Sequence, residues 1–64
     1  AEAERFLREA WDLLRNAEVA AHLGEVLWLS GKQDEARELW ALGLELDGDN
    51  KVLLETIRRF GESP

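Results

Sequence analysis

The stretch over residues 17–50, AEVAAHLGEVLWLSGKQDEARELWALGLELDGDN, limits this chain more than any other feature. It contains two amphipathic helical segments joined at Ser30-Gly31. In the first, Val19, Ala20, Leu23 and Leu27 form an apolar stripe at helical spacing. Gly24 lies inside that segment, where glycine costs roughly 1 kcal/mol against alanine, so it is expected to admit a close neighbour. Ala36 of the second segment is the expected partner, giving an antiparallel pair with tight contact at two small residues. Gly31 follows the last apolar residue of the first segment and reads as a left-handed C-terminal cap. Asp34 and Glu35 then put negative charge in the first turn of the second helix, where the helix dipole favours it.

Chain length makes burial scarce. Sixty-four residues form at most one small domain, and such a domain buries only about 60% of its unfolded surface. With no cysteine and one histidine, His22, neither a disulfide nor a zinc site can supplement helix packing. No cofactor is expected. The net charge of -6 argues against a phosphate-binding surface and therefore against nucleic acid as a partner. No apolar run reaches the roughly 18 residues of a membrane span, so direct membrane insertion of this segment is not expected.

Catalytic and metal-binding patterns are equally missing from the sequence. Asp47-Gly48-Asp49-Asn50 begins like a calcium loop, but Lys51, Val52 and Arg58 then fall where that loop needs a ligand, a glycine and a glutamate. The hydroxyls are Ser30, Thr56 and Ser63, and none pairs with His22 as nucleophile and base. The expected protein is not an enzyme. Glu4 with Arg8, and Glu38 or Glu45 on outward turns, read as solvated helix faces.

On either side of the central pair the chain is again helical. Residues 3–14 place Ala3, Phe6, Leu7, Ala10, Trp11, Leu13 and Leu14 on a wide apolar stripe. Asn16 reads as the N-cap of the next helix, with Glu18 in its first turn. Asp47-Gly48-Asp49-Asn50 is a turn, and Asn50 caps a last helix over residues 51–60, with Val52, Leu53, Leu54, Ile57 and Phe60 on its apolar side.

Residues 17–50 resemble one tetratricopeptide repeat (TPR), a helix-turn-helix unit of about 34 residues. Leu23-Gly24 stands at its Leu-Gly pair, Gly31 in its turn, Ala36 at the second-helix alanine and Trp40 at the aromatic place. Leu44, Leu46 and Asp47 close the unit. Gly43 and Gly48 depart from its alanine and terminal proline, and Ala20 stands where the family carries a large aromatic, leaving space for which Trp11 is the first candidate. Shifted by 33 residues, Ala3, Leu7 and Trp11 overlay Ala36, Trp40 and Leu44. The resemblance therefore implies an all-α solenoid fragment of antiparallel helical hairpins. Residues 1–16 are the second-helix half of a preceding repeat, 17–50 a complete repeat, and 51–64 a capping helix and tail. Arg58, at the place of Gly24, would block a following helix.

The same resemblance implies a protein-protein interaction scaffold, the terminal segment of a larger adaptor or assembly protein. By position its groove residues are Glu18, Ala21, His22, Glu25 and Trp28, joined by Val52, Glu55, Thr56 and Arg59 of the last helix. Chaperone-docking members carry lysine, arginine and asparagine at these places, and Ala21, His22 and Glu25 do not match them. Trp28 reads either as an interface anchor or as packing beneath the hinge. EVAAHLGEVLW and GKQDEARELW are also similar to the last repeat of Gram-negative TPR lipoproteins that act as protease adaptors. That implies the periplasmic side of the outer membrane, at the C-terminal end of a longer bacterial parent. The alternative is a self-association module that pairs, or exchanges helices, through the uncovered stripe of Phe6, Leu7 and Leu14.

Overall fold

A computed structural model of the chain describes residues 2–61, and the tail expected beyond them lies outside that range. The described residues are all-α, with no strand among them. Helix α1 spans Glu2–Leu13, α2 Ala17–Leu29, α3 Gln33–Leu46 and α4 Lys51–Thr56, and a π-helical turn follows at Ile57–Gly61.

The element boundaries follow from local chemistry. Asn16 Oδ1 accepts the Val19 N–H at 2.8 Å, and Asn50 Oδ1 accepts that of Leu53 at 3.0 Å, so both asparagines satisfy a first-turn amide. Helix α2 ends in a Schellman motif: the Gly31 N–H donates to Trp28 O at 3.1 Å and the Lys32 N–H to Leu27 O at 2.8 Å. This return requires the φ of +87° that Gly31 adopts. Asp47 Oδ1 accepts the Asp49 N–H at 3.2 Å and shapes the turn between α3 and α4.

Helix α2 is central. It packs most extensively against α3 as an antiparallel pair, with α1 and α4 on its other flanks. Leu23 and Leu27 of α2 and Leu53 of α4 are almost wholly enclosed, and full burial of such a side chain contributes about 1.5–3 kcal/mol. Trp11 of α1 and Leu39 and Trp40 of α3 complete the large members of the core.

One expectation about the helix crossing is corrected. The atoms nearest to Gly24 belong to the Trp40 indole rather than to Ala36: a Cβ on Gly24 would stand 2.0 Å from Trp40 Nε1. Glycine is needed there to seat a ring. The close approach of small residues is instead between Ala20 and Gly43, where a Cβ on Gly43 would lie 2.9 Å from both Ala20 Cβ and Leu53 Cδ2. Gly43 and Leu53 thus lie beside Ala20, and Trp11 belongs to the same buried core while lining a depression with Leu23, Leu39 and Leu42.

The last helix also differs from a uniform α-helix over 51–60. Its end widens into the π-turn, which sets both Ile57 and Gly61 beside Trp40, a Cβ on Gly61 falling 3.3 Å from Trp40 Cζ3. Phe60 packs against the same core.

Candidate binding surface

Three elements close around α2 and leave one stripe open. Glu18, His22, Glu25 and Leu29 follow one another at i, i+4, i+7 and i+11, and only Glu25 among them is partly covered. Helix α4 borders this stripe. Its Ile57 flank lines a depression with Trp40, Ala41 and Leu44 of α3, so the flank carrying Val52, Thr56 and Arg59 turns toward α2. Val52, Glu55 and Arg59 are exposed there.

Two of the expected groove residues have no surface to offer. Ala21 is fully buried, with its carbonyl 3.5 Å from Trp40 Nε1, a long hydrogen bond that the indole donates. Thr56 is buried as well, and its hydroxyl donates to Val52 O at 2.8 Å, so its polar group is satisfied within the helix. Trp28 follows neither alternative fully. Its ring stacks on Trp40 with centroids 5.6 Å apart, and the Arg37 guanidinium lies 5.1 Å above it, so half-buried Trp28 is held by the fold. Leu29, 68% exposed, is the large apolar residue left on the stripe. Its place four residues beyond Glu25 is the signal in the sequence that marks it.

Of the stripe expected to mediate self-association, Phe6 is 70% exposed and Leu14 61% exposed, but Leu7 packs against the core. Leu13, 83% exposed and seven residues after Phe6, takes its place on the open side of α1. Helical phase decides this: Leu7 shares the inward side with Trp11, four residues on.

The seam between α1 and the hairpin carries an ion network that helical spacing alone does not reveal. Arg8 Nε donates to Glu4 Oε2 at 3.0 Å, as the i,i+4 spacing suggests. Its Nη2 also donates to Glu35 of α3, and Lys32 Nζ donates to Glu4 Oε2 at 2.9 Å. The Lys32 ammonium and the Arg8 guanidinium hold the Glu4 carboxyl below the ordinary carboxylate range. Glu35 and Glu4 in turn hold the Arg8 proton more tightly.

No cluster of three carboxylate or imidazole groups suited to a metal ion occurs among the described residues, and no described helix is long and apolar enough to cross a membrane. Comparison with family models, with curated proteins and with solved structures finds no match to the chain.

Proposed function

We propose that this chain is the terminal segment of a TPR-type helical scaffold whose open α2/α4 face binds a segment of a partner protein. The observation that carries the reading is the open stripe of α2. A helix packed on three flanks keeps Glu18, His22 and Leu29 uncovered and Glu25 half-covered, with Val52, Glu55 and Arg59 exposed on α4 and its π-turn, which is the side that the TPR resemblance assigns to partners. The surface offers charge and two apolar side chains, Leu29 and Val52, on packed helices, which suits recognition of a peptide or helix. Its placement as an adaptor at the periplasmic side of a bacterial outer membrane rests on the resemblance of residues 18–60 alone.

Peptide-display selection against the immobilised protein, in parallel with a Glu18→Ala/His22→Ala/Leu29→Ala variant, tests this reading. A recurring motif enriched by the wild type and lost with the variant is expected. Equal enrichment on both proteins, or no motif on either, contradicts it.

A second reading, self-association, is favoured by one observation: Phe6, Leu13 and Leu14 leave α1 with an uncovered apolar side unusual for so small a molecule. A strict monomer in sedimentation up to millimolar concentration contradicts it.

A further inference from the structure

Helices α1 and α3 both pack on α2 and leave a groove between them, made of two depressions that share Trp11 and Leu42. Its floor is apolar. Leu23 of α2 lies at the bottom, Trp11 forms one wall, and Leu39, Leu42 and Leu46 follow along the other at i, i+3 and i+7. Leu42 and Leu46 are about half exposed.

The charges along this groove do not balance. Its lining holds two cations, Arg8 and Arg15, and four carboxylates, those of Asp12, Glu35, Glu38 and Glu45. Arg8 and Glu35 belong to the seam network with Glu4 and Lys32, which is neutral in itself. Just outside the rim the charges also cancel in number, Arg5 with Glu9 on α1 and Arg37 with Asp34 on α3. What remains is Asp12, Glu38 and Glu45 against Arg15, whose guanidinium lies over the Trp11 ring, 5.3 Å from its centroid. None of these three carboxylates is in an ion pair among the described residues. Glu45 also stands in the last turn of α3, where the helix dipole disfavours an anion and where no basic residue offsets it. Folding alone gives no reason for carboxylates beside an apolar row at that end of the helix.

We infer that the α1/α3 groove binds a segment of a partner protein that forms a basic amphipathic helix, with aliphatic residues on one face and lysine or arginine along its edges. The aliphatic face covers Leu42 and Leu46 beside Trp11, and the cations reach Asp12, Glu38 and Glu45. The acidic rim from Glu38 to Glu45 is roughly 10 Å long at about 1.5 Å per residue, so a partner helix of about three turns spans it. A second copy of this chain suits the groove poorly, since it brings a net charge of -6 to an acidic surface. The groove is distinct from the α2/α4 face: Leu23 at its bottom and Glu18 and Glu25 on that face lie on opposite sides of α2.

The probe is a fluorescein-labelled peptide of about 14 residues with leucines at i, i+3 and i+7 and lysines on both sides of that row. Its controls are the same peptide with glutamate for lysine and a scramble of equal charge. In fluorescence polarisation at physiological salt, the wild type should bind the lysine peptide about tenfold or more tighter than either control. Glu38→Lys/Glu45→Lys should lose about tenfold or more of that affinity and gain affinity for the glutamate peptide. Leu42→Gln should weaken binding of the lysine peptide without a change of charge. Glu2→Lys/Glu9→Lys makes the same change of charge on the outer side of α1 and should stay within about threefold of wild type, because salt screens separated charges. Circular dichroism of each variant checks that the helices are retained. Backbone amide shifts on titration with the lysine peptide should gather around Asp12, Leu42 and Leu46. No binding by the wild type, or an equal loss in the two charge-reversed variants, overturns the inference. Shifts that gather on α2 and α4 overturn it while supporting the α2/α4 face. Shifts around Leu42 that depend on protein concentration alone make a second copy the occupant and overturn it too.

Discussion

Replacing Gly24 with alanine puts opposing effects on one atom. In an exposed helix interior the change gains about 1 kcal/mol in propensity. Here the new Cβ would stand 2.0 Å from Trp40 Nε1 and 2.6 Å from Cδ1 and Cε2, so the ring has to move. It has little freedom to do so, being stacked on Trp28 at 5.6 Å, donating to Ala21 O and lying against Gly61 on its other edge. Overpacking a core costs about 1–3 kcal/mol, and a clamped ring belongs at the upper end of that range. The net expectation for Gly24→Ala is a loss of about 2 kcal/mol. At about 4–8 °C per kcal/mol for a domain of this size, Tm should fall by about 8–16 °C when followed by far-UV circular dichroism. The informative comparison is the same change made in Trp40→Leu. With the ring gone, the propensity gain is unopposed, and Gly24→Ala should raise Tm by about 4–8 °C. Trp40→Leu itself costs about 3 kcal/mol, so all four proteins are compared in a stabilising osmolyte. A rise in Tm for Gly24→Ala in the wild-type background, or the same shift in both backgrounds, refutes the assignment of this glycine to the indole.

Three further outcomes follow from the turns and the seam. Gly31→Ala should cost about 1–2 kcal/mol from backbone strain alone, since a Cβ there meets nothing within 4 Å and φ is +87°. D-alanine at the same position in a synthetic chain should not destabilise, and an equal loss with both enantiomers would contradict this cause. Asn50→Ala should cost about 1 kcal/mol by leaving the Leu53 amide without its cap, and Asn50→Asp should restore most of it in urea unfolding. The Glu4 carboxyl is held below its ordinary value, so its contribution is fully present above the ordinary carboxylate pKa and is lost as pH falls through its lower folded value. Glu4→Gln should therefore be less stable than wild type at neutral pH and indistinguishable from it in strongly acid buffer; a difference that does not change with pH argues against the network.

Local signals were legible where one residue type has one physical use. Asn16 and Asn50 as caps and Gly31 as a left-handed terminus follow from the backbone needs of a helix end, and these needs are met within three residues. The antiparallel α2/α3 pair was legible for the same reason, since the hinge and the two stripes are local. What Gly24 accommodates was not, because a missing side chain records only that space is needed. A ring from Trp40 and a backbone near Ala36 leave the same letter in the sequence. The candidate surface shows the same division. Exposure of Glu18 and His22 follows from their phase on α2, whereas the burial of Ala21 depends on where α3 places its indole. The π-turn left no local signal, because the positions of Ile57 and Gly61 depend on their fit against Trp40.

Trp40 links these cases. The alanine and glycine positions of α2 allow α3 to approach closely, and the ring that fills the remaining space also receives Trp28 from one side and the π-turn from the other. Helix α1 reaches the hairpin differently, through Leu7, Trp11 and ion pairs in which Arg8, Lys32 and Glu35 are about half exposed and Glu4 is more covered. Ion pairs near the surface are screened by solvent and contribute little, while the α2/α3/α4 contacts are apolar and enclosed. The molecule is thus asymmetric in how its helices are held: α1 is joined to the hairpin partly through ion pairs, and α4 through enclosed apolar side chains.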